Sequence, residues 1–147
     1  MNYILTTLAF LVGGLLPIQV GVNAELAKYI NSPILAALVS FIVGCMCLIL
    51  GAVIFKAPLP TLNQVTSLPS WLWVGGMIGA AVVLGSILAG PKIGALALVS
   101  LLLAGQLVVS IFIDNYGWLG FPVQKMNIQR FLGVLLLIGG FLFVRKN

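Results

Sequence analysis

The sequence has no histidine, only two acidic residues and only two cysteines in 147 positions. Each shortage removes a class of chemistry. With acids at Glu25 and Asp114 alone, the chain lacks the ligands that a zinc or calcium site needs. General acid–base catalysis loses its usual groups as well. No nucleophile has a base beside it, and no phosphate loop stands in a strand-to-helix context, so no enzyme activity and no cofactor are expected. Cys45 and Cys47 lie two apart in an apolar run and point to different faces, so they read as small packing residues. Charge is scarce too, at 6% of residues. The formal net charge of +5 does not make the chain a nucleic-acid binder. Its seven basic residues stand one or two at a time at the ends of apolar runs, where long cationic side chains snorkel to headgroups.

What the chain has instead is apolar surface. Hydrophobic residues make up 62% of it and the mean hydropathy is +1.26. A soluble core of this length cannot hide so much, whereas lipid can take the place of a core. The pattern predicts an all-α integral membrane protein, a single transmembrane domain over 1–147. Five spans are expected, at 3–27, 34–55, 71–89, 93–113 and 128–144. Ser32-Pro33 supplies an N-cap and a first-turn proline for the second. The stretch 56–70 has three prolines and no apolar period, so it breaks the chain. Gly90-Pro91-Lys92 is expected to stop the third span. Trp71, Trp73, Tyr116 and Trp118 fall near span ends, as an aromatic belt requires. No basic residue precedes Lys28 and no small-residue cleavage site follows the first run, so that run is expected to stay as a membrane helix.

Five spans put the two termini on opposite sides. Lys56, Lys125 and Arg130 then fall on one side, and Lys28, Lys92, Arg145 and Lys146 on the other. The positive-inside rule orients proteins by a difference in such counts, and here the difference is a single residue. Insertion in both orientations is the expectation, and an antiparallel homodimer with it. Small residues recur at four-residue steps in the second and third spans (Ala36, Ser40, Gly44; Gly75, Gly79) and let helices approach closely in lipid. In the fifth span, Gly133, Gly139 and Gly140 are the expected dimer contact.

One stretch does not suit plain lipid: GGLLPIQVGVN, residues 13–23, within the first apolar run. Pro17 cannot donate to the carbonyl of Gly13, and Gly13 and Gly14 remove bulk beside it, so a kink is expected. Gln19 and Asn23 are four apart and share a face. They either glue the first helix to its neighbours or face a cavity as the solute site. By depth, Ser40, Ser86 and Ser100 fall in the same half of the membrane as Gln19. Gln106 and Ser110 fall in the other half, level with Gln19 of an inverted copy. Ser40, Ser86, Gln106 and Ser110 are therefore secondary solute contacts. No Asp, Glu, His, Lys or Arg lies near the centre of any span. Glu25 is read either as a helix-end pair with Lys28 or as a gate or coupling group. Asp114, unfavourable at a helix C-terminus, is read either as a loop clamp with Arg130 or Lys125 or as a coupling group.

The stretches PIQVGVNAEL, AGQLVVSIFIDNYGWLG and QRFLGVLLLIGGFLF resemble one family, the YdcZ-like five-helix proteins of the drug/metabolite transporter superfamily. The resemblance runs through nearly the whole chain in order. Within the pattern, histidine often follows the aspartate; here Asn115 stands in its place, which removes a titrating group. The resemblance implies a half-size unit of a larger inverted-repeat architecture and a bacterial inner membrane. Small multidrug exporters of the superfamily carry a glutamate midway along their first helix, where this chain has Gly13-Gly14. The expected function is transport of a small organic solute by alternating access in the homodimer. Two alternatives stand beside it: a small dual-topology channel and a non-transporting accessory subunit. Neutral amides favour neutral, zwitterionic or anionic solutes over cations.

Overall fold

The structure is a computed structural model and describes residues 3–145. Six α-helices follow one another: α1 (Tyr3–Tyr29), α2 (Pro33–Ile54), α3 (Leu62–Thr66), α4 (Val74–Ile93), α5 (Ala95–Tyr116) and α6 (Ile128–Arg145). Short 3-10 turns cover Ser70–Trp73 and Trp118–Gly120. There is no strand among the described residues. Four helical segments are long and apolar enough to cross a membrane: α1, α2, α4 with its lead-in turn, and α5. The apolar stretch of α6, Ile128–Leu137, is shorter. Lys146 and the side chain of Arg145, both part of the charge count above, lie outside the described residues.

The chain forms two compact units. One is residues 18–92; the other joins the described residues up to Pro17 with those from Ile93 onward. In the first unit, α1 ends with Asn31 at φ +51° and a bond from the Ser32 N–H to the Ala27 carbonyl (3.1 Å). This left-handed cap frees Ser32 to start α2, where its hydroxyl accepts from the Leu35 N–H (3.3 Å) and Pro33 opens the first turn. The tight connection brings Ala27, Ala36 and Ala37 into one cluster with Ile87 of α4. Ala36 is wholly buried. Alanines suit this place because lipid leaves close contact, rather than water exclusion, to hold helices together.

Three elements differ from expectation. Gly90-Pro91-Lys92 does not stop the third span, since α4 runs on to Ile93. Pro91 lacks one donor, but it sits in the last turn and sacrifices a single bond. Continuing the helix keeps Ser86, Ile87 and Gly90 on one buried face. The interruption falls at Gly94, whose φ of +83° a glycine adopts freely. Next, α5 continues past 113 to Tyr116, so Asp114 lies within its last turn. Finally, the segment 56–70 contains the short helix α3. Its signal was present: Thr61 and Gln64 form a reciprocal capping box.

Candidate functional site

Among the described residues, one ion pair joins two different helices, and it lies in the second unit. Its construction begins where α5 ends. Gly117 caps the helix at φ +65°, and a Cβ there would come within 2.7 Å of Val123 Cγ2. Glycine is thus required by both conformation and space. The chain then folds back along the helix end. The Gln124 N–H donates to the Asp114 carbonyl (2.8 Å), and the Met126 N–H to Asn115 Oδ1 (3.5 Å). Asn127 caps α6 by accepting from the Arg130 N–H (2.9 Å).

This return places two charges side by side. Asp114 sits in the last turn of α5 and Arg130 in the first turn of α6. Each is at the unfavourable end of its own helix dipole, so each gains from the other. Arg130 Nη1 lies 3.4 Å from Asp114 Oδ2. The same Nη1 donates to the Gln124 carbonyl (3.1 Å), and Nη2 to Gln124 Oε1. Of the two partners offered by the sequence, Arg130 is the one that meets Asp114.

Beside the pair lies a cleft of about 260 Å³. Its walls are Leu107 and Ile111 of α5 and Val134 and Leu137 of α6, with Gly133 as a small gap between them. Ser110, Asp114, Gln124 and Arg130 supply its polar end. The Ser110 hydroxyl donates to the Gln106 carbonyl (2.7 Å), so toward the cleft its oxygen can only accept. Gln106 itself is exposed and outside this lining. Gly140 lines a neighbouring cleft with Ser100 and Leu103. Gly133 and Gly140 therefore both border clefts shared with α5. Gly139 is half-buried.

In the first unit, Gln19 lines a cleft of about 330 Å³ with Ser40, Phe41, Gly44, Cys45 and Leu48. Asn23 does not join it. It is buried at 5% exposure. Gln19 and Asn23 share a face of α1, but the first is exposed and the second buried. Ser86, also 5% exposed, bonds back to the Val82 carbonyl (2.7 Å). Gly13, Gly14 and Pro17 lie in uninterrupted helix, and a unit boundary follows Pro17. Glu25 pairs with Lys28 on the surface of α1.

Gln124 and Met126 were not anticipated as site residues. The usable signal was the glycine-rich turn G-W-L-G directly before them, which returns the chain to the helix it has just left.

The family described as "Putative inner membrane exporter, YdcZ" matches residues 4–143. The chain belongs to this family. It is 26% identical over 144 residues to the inner membrane protein YdcZ of Escherichia coli (strain K12), covering 96% of each chain. No solved structure matches. The match takes in nearly all of α1 and α6, every helix between them and the whole of the Asp114–Arg130 return. The family's description names an exporter and not an enzyme, and the apolar helices fit the inner-membrane setting it gives.

Proposed function

We propose that the chain is a carrier that exports a small organic solute across a bacterial inner membrane. The observation that carries this reading is the α5–α6 cleft, a polar end with an ion pair opening onto apolar walls. A few placed polar groups in an otherwise apolar concavity are what a small-molecule site needs. Membership in an exporter family supports it. In this reading α6 completes a fifth span, and two copies assemble in opposite orientations. The near-even split of basic residues between the two sides supports that assembly. One copy rocks against its inverted twin, so the two end states are equivalent by symmetry. Ser110 and the Asp114–Arg130 pair contact the solute. Gln19, Ser40 and Asn23 serve the gating surface and packing of α1.

Reconstituted protein should show saturable exchange of labelled solute between the two sides of a vesicle. Flux that rises without saturation would identify a channel. Sidedness tests the assembly. With Cys45 and Cys47 replaced by Ala and a single cysteine placed at Asn147, an impermeant thiol reagent should label about half the protein in intact cells. All-or-none labelling would fix one orientation and remove the antiparallel dimer.

A further inference from the structure

The polar end of the cleft holds both donors and acceptors, and its own charges already balance. Arg130 carries only donors. Asp114 and the Ser110 oxygen, whose hydroxyl hydrogen is committed to Gln106, carry only acceptors. Asp114 and Arg130 are each about one-third exposed, so a ligand can reach both. A ligand with net charge would leave one charge without its counter-ion in apolar surroundings, which is costly. A ligand with both charges can exchange the protein's pair for two new pairs and keep the cleft neutral. The volume is also informative. At roughly 30 Å³ per water, about 260 Å³ holds a solute of on the order of ten non-hydrogen atoms.

We infer that this cleft takes a small zwitterion with an apolar side, its carboxylate on Arg130, its ammonium on Asp114 and Ser110, and its apolar part against Leu107, Ile111 and Val134. The inference rests on the reading of this cleft as the solute site and names the class of solute. Occupancy opens the direct Asp114–Arg130 contact and replaces it, so solute binding loosens the clamp between α5 and α6.

The test is equilibrium binding to the full chain in nanodiscs made of phosphatidylglycerol, with leucine as the probe. Leucinamide and 4-methylpentanoate each keep the apolar part and one of the two charges. Leucine should bind about ten-fold or more tighter than either analogue. Arg130→Gln should bring leucine down to the level of leucinamide, and Asp114→Asn should bring it down to that of 4-methylpentanoate. Gly133→Leu keeps the ion pair and fills the cleft, since a Cβ at Gly133 meets nothing within 4 Å. It should abolish leucine binding. Equal binding of the three probes, no binding of leucine, or full binding by Gly133→Leu would each overturn the inference. So would loss of leucine binding whenever phosphatidylethanolamine is added, which would assign the cleft to a lipid headgroup. Leucine binding without vesicle exchange would leave the solute class standing and remove the carrier. Saturable exchange of another solute without leucine binding would do the reverse.

Discussion

The two units each hold one of the chain's two carboxylates, and they use them differently. In the first unit, Glu25 pairs with Lys28 three residues on along α1, and both side chains are more than 60% exposed. That pair joins nothing except one turn of helix to the next. In the second unit, Asp114 reaches sixteen residues along the chain to Arg130, at roughly half the exposure, and ties α5 to α6. The difference extends to what surrounds them. The first unit is held by a cluster of alanines with Ile87, and its polar groups are either buried, as Asn23 and Ser86 are, or in a cleft without charged residues, as Gln19 is. The second keeps its charges beside an apolar cleft and builds a folded-back loop to hold them there. Close packing through small residues and charge pairing between helices are two ways to join helices in lipid. Only the second leaves exchangeable charges open to a ligand.

Substitutions should separate the two units in order of effect. The largest loss is expected at Gly117. Gly117→Val places a β-branched side chain at positive φ and against Val123, at a cost of about 3 kcal/mol or more. The variant should lose its thermal transition or aggregate on purification. Next come Asp114→Asn and Arg130→Gln, each of which removes one partner from a partly exposed clamp. We expect a loss of about 1–2 kcal/mol after solvent screening is allowed for, read as a lower midpoint in thermal unfolding. A normal midpoint in both would mean that the pair joins nothing. Asn23→Ala should cost about 1 kcal/mol, because it leaves a small void at a buried position. Gln19→Ala should leave stability within about 0.5 kcal/mol, since the side chain is exposed and unbonded. The smallest effect belongs to Glu25→Gln, also within about 0.5 kcal/mol, as exposed pairs contribute little. A larger loss at Glu25 than at Asp114 would invert the comparison.

Much of this was legible in the residues. Apolar runs gave the long helices to within a few residues, and Ser32-Pro33 gave the start of α2, because local capping and lipid compatibility act residue by residue. The end of α4 was not legible. Proline signals a stop, but a buried face through Ser86, Ile87 and Gly90 outweighs one lost hydrogen bond. The small helix α3 was overlooked although its capping box is written in Thr61 and Gln64. For the site, the helix dipole called for a cation beside Asp114 and left Arg130 and Lys125 both open; the folded loop brings Arg130. The separation of Gln19 from Asn23 was not legible, because helical periodicity gives a shared face but not what covers each turn of it. Nor was Gln124, whose place depends on the return of the loop after Gly117.

Two glycines allow the comparison to be tested directly. Gly133 lines the α5–α6 cleft and Gly44 lines the Gln19 cleft, and a Cβ at either meets nothing within 4 Å. Leucine at each position therefore fills one cleft and leaves the other open. The measurement is saturable exchange of labelled leucine in proteoliposomes, for the unsubstituted protein, Gly44→Leu and Gly133→Leu. The account predicts exchange by the first two and none by Gly133→Leu. Exchange that survives Gly133→Leu but is lost in Gly44→Leu would contradict it, as would no exchange by the unsubstituted protein.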